Sequence, residues 1–265
     1  MPFELRGGTQ TNWRVWGESA PDTLLLHCSL GHSGAWKGVA AGLDRPCVAF
    51  DLPGHGRSGP LQDGVDFQQQ CLDVAQTFLG KTPMDVIGHS FGATVALRLA
   101  MEHPEAVRRL VLIEPVLLCA AQGSPEFKTY FQDFAPFMAA IEAQDMCRAA
   151  ELFAGFWSDG QSWDEMSEAQ QQGMASLIHV IPREDPAIFE DNAAILRDGW
   201  LESTKMPVFL IEGTLSPPII GAVQDRLEAR MPNTQRARIE GAGHMTPLTH
   251  PAEVAGLITA FFDAT

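Results

Sequence analysis

The pentapeptide Gly88-His89-Ser90-Phe91-Gly92 has the strongest claim to chemistry in this chain. A serine in the pattern G-x-S-x-G can be held on a sharp turn from strand to helix, where its hydroxyl stands clear of the backbone as a nucleophile. Met84 to Ile87 reads as a buried strand, and Phe91 to Met101 carries apolar residues three and four apart, as a core-facing helix does. Almost no loop is left between the two. Ser90 is therefore expected in a strained backbone conformation, at a helix N-terminus whose partial positive charge favours a developing anion. The plain alternative, a serine that only caps the helix, requires no flanking glycines.

Gly54-His55-Gly56-Arg57-Ser58-Gly59 spells G-x-G-x-x-G directly after the strand Cys47 to Phe50. A dinucleotide site needs such glycines to open a helix, with the pyrophosphate on its first turn. Here Pro60, Asp63 and Gly64 follow and break a helix, so no cofactor is expected. The cysteines Cys28, Cys47, Cys71, Cys119 and Cys147 form no C-x-x-C pair and have no zinc-ligand spacing. Neither a disulfide framework nor a metal is expected, and Cys28 lacks an identifiable base to make it a nucleophile.

These residues need a frame. Strands are expected over Trp13 to Trp16, Thr23 to His27, Cys47 to Phe50, Met84 to Ile87, Leu110 to Ile113, Val208 to Ile211 and Gln235 to Ile239. Helical periodicity fills Phe67 to Leu79, Phe91 to Met101, Gly221 to Ala229 and Pro251 to Phe262. Strands alternating with helices indicate an α/β fold with a mostly parallel sheet. After Ile113 the next core strand begins only about 90 residues later, far beyond an ordinary loop. That interval holds helix-like segments, Pro125 to Glu142, Asp145 to Trp157, Asp164 to His179 and Pro186 to Leu196, and eleven of the 22 aromatic residues. A small helical insertion needs large side chains for its own core. Some, such as Phe134, Phe137 and Trp157, can also line an apolar substrate pocket where the insertion meets the sheet.

Composition bounds the partners. The 265 residues are 45% hydrophobic and 19% charged, which suits one globular α/β domain with an insertion. A net charge of −15 opposes nucleic acid and anionic membrane as partners and leaves a small-molecule substrate open. The first residues lack the apolar run of a signal peptide, and no stretch reaches membrane-spanning length. Scattered cysteines and the absence of both segments suggest a cytoplasmic protein; its oligomeric state is not legible.

Taken together, Gly88 to Gly92, the D-x-P-G-x-G-x-S run at Asp51 to Ser58, Leu24-Leu25-Leu26-His27-Cys28 with Trp36 behind it, and the late Gly241-Ala242-Gly243-His244 resemble the α/β-hydrolase superfamily. The resemblance implies an eight-stranded, mostly parallel sheet flanked by helices, with a helical cap inserted after the sixth strand. Residues 1–116 and 205–265 would then form the core and 117–204 the cap. It implies a triad of serine, acid and histidine at the carboxyl ends of the strands, with Ser90 as nucleophile and His244 as base. Two glycines in three residues let the His244 loop fold back toward Ser90, whereas His250 precedes Pro251 at a helix start and is read as positional.

The acid departs from the commonest family pattern, because Gly213-Thr214-Leu215-Ser216 stands where G-x-x-D is usual. Ser216 is read instead as an N-cap before Pro217. Glu114, after the strand Leu110 to Ile113, stands where some haloalkane dehalogenases of this superfamily keep their acid; Glu212 is the alternative. The oxyanion hole would use the N–H groups of Phe91 and Ser29, with Leu30 in reserve. A serine nucleophile excludes the aspartate chemistry of dehalogenases and epoxide hydrolases. The reading is a serine hydrolase that cleaves a small or medium apolar ester or lactone through an acyl-enzyme on Ser90. Rivals are a carbon–carbon bond hydrolase or lyase using Arg148, Arg183 or Arg197 as a carboxylate clamp, a thioesterase or acyltransferase, and a non-catalytic ligand-binding member.

Overall fold

The structure, a computed structural model, describes residues 2–158 and 162–265. Its strands are β1 (Phe3–Arg6), β2 (Thr9–Trp16), β3 (Thr23–Leu26), β4 (Cys47–Phe50), β5 (Met84–His89), β6 (Val107–Ile113), β7 (Val208–Gly213) and β8 (Thr234–Ile239). They form one sheet in the order β1-β2-β4-β3-β5-β6-β7-β8. β1 and β2 are antiparallel to their neighbours and the rest run parallel. Strands β3, β4, β5 and β7 are buried throughout, as their uninterrupted apolar runs require when helices cover both faces.

The helices are α1 (Lys37–Leu43), α2 (Phe67–Ala75), α3 (Phe91–Glu102), α4 (Pro125–Glu142), α5 (Met146–Trp157), α6 (Glu168–Leu177), α7 (Asp185–Ile188), α8 (Pro218–Arg230), α9 (Thr246–Thr249) and α10 (Pro251–Ala264). Alternate strand residues feed two cores. Leu24, Leu26, Val86, Leu110, Leu112 and Leu210 pack under α2, α3 and α8, while Leu25, Ile87, Val111, Ile113 and Ile211 pack against α1 and α10. Helices α4 to α7 all lie between β6 and β7 in the chain, and most of their aromatic residues, though not the exposed Phe131, join the first core.

Several elements depart from the expectation, the short added helix α9 among them. β1 is an edge hairpin strand closed by Gly7-Gly8, and its Phe3 and Leu5 face solvent, so burial gives it no pattern. α1 is an additional helix. Pro186 to Leu196 is helical only at its start, through α7. Beyond it the chain turns through left-handed Asp191 and Ala194, and the Asp191 carboxylate accepts the N–H groups of Ile195 (2.7 Å) and Leu196 (2.8 Å).

Parallel pairing puts the carboxyl ends of β3, β5, β6, β7 and β8 on one edge. Loops leaving that edge carry Ser29, Ser90, Glu114, Ser216 and His244, residues distant in sequence and adjacent in space.

Candidate active site

Ser90 ends β5 and starts α3 at φ 56° and ψ −122°. A side chain at such a φ is strained by about 1–3 kcal/mol and is held there by its surroundings. Its N–H donates to the Ile113 carbonyl at 2.9 Å. A Cβ on Gly88 would lie 2.4 Å from the Gly92 carbonyl oxygen, and one on Gly92 would lie 2.4 Å from that of His27. Both glycines are therefore set by backbone approach, which lets α3 begin directly at Ser90.

His244 Nε2 lies 2.9 Å from Ser90 Oγ, and its Nδ1 lies 3.1 Å from Glu114 Oε2. Glu114 follows β6 at φ 52° and is wholly buried. Its other oxygen accepts the Gly213 N–H at 2.6 Å and the Ser216 hydroxyl at 2.7 Å. Both oxygens are thus satisfied, as a buried carboxylate requires. With Nδ1–H donating to the carboxylate, the Nε2 lone pair faces the Ser90 hydroxyl. Glu212 lies elsewhere: Arg236 donates to it at 2.8 Å and Arg238 also bonds it, on the side of β8.

Ser216 is not the N-cap expected for it. α8 begins at Pro218 after Pro217, and the Ser216 hydroxyl turns to Glu114 instead. The physical reason is nonlocal: pairing of β6 with β7 brings the end of one strand against the loop after the other. A hydrogen-bonding residue at the position where an acid is usual was the available signal.

Buried histidines hold the surrounding backbone. His89 Nε2–H donates to the His244 carbonyl at 2.8 Å, and burial, with the nearby His244 charge, lowers its pKa to about 3. His27 is also lowered to about 3, by burial and then by His55; its Nε2 accepts the Leu52 N–H at 2.9 Å. His55 Nε2 accepts the Leu30 N–H at 3.1 Å, so that N–H is occupied. Phe91 opens α3, and its N–H belongs to the first turn, which has no carbonyl one turn earlier to bond. The Asp51 to Ser58 run braces this loop: Asp51 accepts the N–H groups of Ser33 (2.7 Å) and Arg57 (2.9 Å), and no helix follows until Phe67.

Ser90 and His244 line one and the same cavity. Tyr130 and Phe134 of α4, Trp157 of α5 and Phe189 line it, and the Trp157 ring lies 4.4 Å from that of His244. Phe137 lies behind this wall, its ring 4.5 Å from that of Phe134. Among the described residues no Lys or Arg lines the cavity. Arg148 pairs with Glu151, Arg183 donates to the Gln62 and Val65 carbonyls, and Arg197 stacks over Trp200. Cys28 also lines the cavity, but burial pushes its thiol up to about 12, so it stays protonated. Glu184 is a further lining residue without a sequence signal, since Arg183-Glu184-Asp185 reads as a charged break between helices.

The sheet order, the serine on its strained turn and the aligned histidine and carboxylate define a protein of the α/β-hydrolase type. Residues 23–257 match the model of the alpha/beta hydrolase family, and the chain belongs to that family. It is 28% identical over 265 residues to the pimeloyl-(acyl-carrier protein) methyl ester esterase of Yersinia pestis, covering 95% of this chain and 97% of that one. A 102-residue stretch, 37% of this chain and 34% of the other, is 36% identical to an esterase of Mycobacterium tuberculosis. The solved enol-lactonase of Burkholderia xenovorans shares the fold, with a TM-score of 0.74 at 20% identity over 99% of this chain and 100% of that one.

Proposed function

We propose that this chain is a serine hydrolase that cleaves a small or medium carboxylic ester or lactone through an acyl-enzyme on Ser90. One observation carries the reading: Glu114, His244 and Ser90 stand in line at 3.1 and 2.9 Å, in contact with an apolar cavity. His244 Nε2 takes the Ser90 proton as Oγ bonds to the carbonyl carbon. The carbonyl oxygen becomes an oxyanion held by the N–H groups of Phe91 and Ser29, each such donor being worth about 3–4 kcal/mol in the transition state. Collapse breaks the bond to the alcohol, which leaves with the proton from His244. Water then gives one proton to His244 as its oxygen attacks the acyl carbon, and collapse releases the acid while Ser90 Oγ leaves with that proton from His244. Glu114 holds the imidazole in the tautomer that accepts a proton and stabilises the imidazolium.

Helices α4 to α7 act in this reading as the cap over the core, with the boundaries 117–204, and Tyr130, Phe134 and Trp157 select the substrate. The names of the two curated relatives support ester chemistry. A carbon–carbon bond hydrolase that grips a carboxylate finds no support, because Arg148, Arg183 and Arg197 are engaged outside the cavity. Five free cysteines, four of them buried, suit a reducing compartment such as the cytoplasm. A fluorophosphonate probe should label folded wild-type protein at Ser90 and leave Ser90→Ala unlabelled. Esters or lactones should be turned over faster than thioesters in the same panel. An unlabelled Ser90 in folded protein would overturn the reading.

A further inference from the structure

Glu184 lines the cavity shared by Ser90 and His244, yet the hydrolysis described above gives it no task. Its side chain is buried, with 3% of the residue exposed, and Oε1 has no hydrogen-bond partner among the described residues. A buried polar atom left unpaired costs about 1–3 kcal/mol, and such atoms are rare in folded proteins. This one borders the space in which a substrate must sit. Asp185 lines the same cavity, so two acidic residues border it and, among the described residues, no Lys or Arg does.

Burial pushes the Glu184 carboxyl up to about 8; the Ser29 hydroxyl acts against this and the Asp185 charge adds to it. Burial, and then the charge of Glu190, raises Asp185 to about 6. At neutral pH Glu184 therefore holds a proton and presents both an O–H donor and a carbonyl acceptor. An all-hydrocarbon substrate arm leaves this pair unmatched. An arm ending in a carboxylate meets Asp185 with no cation to balance it.

We propose that Glu184 is a specificity-determining residue that hydrogen-bonds a neutral hydroxyl, carbonyl or amide on the ester arm filling the cavity. This rests on the serine-hydrolase reading and refines its substrate to an apolar arm interrupted by one neutral polar group.

The test compares kcat/KM for two matched pairs of esters. In one pair the acyl arm carries a hydroxyl or a methyl at the same carbon; in the other the alcohol arm does. Wild type should favour the hydroxylated member of at least one pair by about tenfold or more, the size of one buried hydrogen bond. Glu184→Met, which keeps the volume, should reduce that preference to about twofold or less, whatever the change in overall rate. Glu184→Gln, which keeps a donor and an acceptor, should retain it and serves if the methionine variant does not fold. No preference in wild type for either pair, or an undiminished preference in Glu184→Met, would overturn the assignment. A faster reaction with an ammonium-bearing analogue would also overturn it, in favour of a charged carboxylate. Labelling of Ser90 by the fluorophosphonate separates the two levels. If Ser90 is labelled and methyl-bearing esters turn over without preference, only the role of Glu184 fails; if Ser90 is unlabelled, the hydrolase reading fails with it.

Discussion

Replacing Glu114 with glutamine tests the proposed site most directly, because the structure dictates how the amide must sit. Oε1 accepts two donors, the Gly213 N–H and the Ser216 hydroxyl, so the amide oxygen takes that place and the NH2 group faces His244 Nδ1. Nδ1 must then accept rather than donate, which moves the ring proton to Nε2 and aims it at Ser90 Oγ, 2.9 Å away. The imidazole can no longer take the serine proton without first changing tautomer, and no charge balances the imidazolium. A wrong tautomer in a triad of this kind lowers kcat by about 10⁴, or roughly 5.5 kcal/mol. Fold and substrate cavity should survive, since both donors to Oε1 stay satisfied. The assay is kcat/KM on an aryl ester beside the rate of fluorophosphonate labelling, with Tm as a check on folding. Both rates should fall together in Glu114→Gln. Glu212→Gln should keep the rate within about threefold and lower Tm, because it removes a buried charge that pairs with both Arg236 and Arg238. A rate for Glu114→Gln within tenfold of wild type, or a 10⁴ loss in Glu212→Gln instead, would refute the assignment.

Two further outcomes follow from the same contacts. Ser216→Ala removes one of the two donors to Glu114 Oε1, and a hydrogen bond to a charged group contributes about 1.5–3 kcal/mol. Esterase kcat/KM should fall by roughly tenfold, less than for Glu114→Gln, and an unchanged rate would show that the hydroxyl plays no part in holding the acid. The second outcome concerns pH and stability. Glu184 titrates near 8 in the folded chain against an ordinary value of 4.5, so between those values the folded state holds a proton that the unfolded state has lost. Stability therefore falls as pH rises from about 4.5 through 8, by an amount on the order of a few kcal/mol. Glu184→Gln stays neutral throughout. Its Tm should draw ahead of wild type between pH 5 and pH 9, and a constant difference across that range would contradict the burial argument.

What the sequence disclosed depended on whether the controlling contact was local. Ser90 was legible because a strand, two glycines and a helix follow one another within a few residues, and the close approaches at Gly88 and Gly92 leave little choice of residue. Helix α1 was hidden by glycines of the opposite kind: a Cβ on Gly38 would lie 2.8 Å from Pro251 Cβ, and one on Gly42 2.6 Å from Ala255 Cβ. They serve packing against α10, yet in sequence they read as helix breakers. Glu114 could be singled out only through a family resemblance, because nothing in its neighbourhood says which histidine it will meet 130 residues later.

Ser216 shows how one such choice constrains another. Its hydroxyl lies 2.7 Å from Glu114 Oε1, closer than two carboxylates tolerate while both are ionised. An aspartate at 216 would place a second carboxyl within reach of the first, and one of the pair would have to keep a proton. Once the acid comes from the end of β6, the loop after β7 has to supply donors to it, and a serine with the Gly213 N–H does so. In the proposed triad, the absence of an aspartate there therefore removes no member. Glu114 and Ser216 form a single arrangement, with charge on one strand end and hydrogen-bond donors on the next.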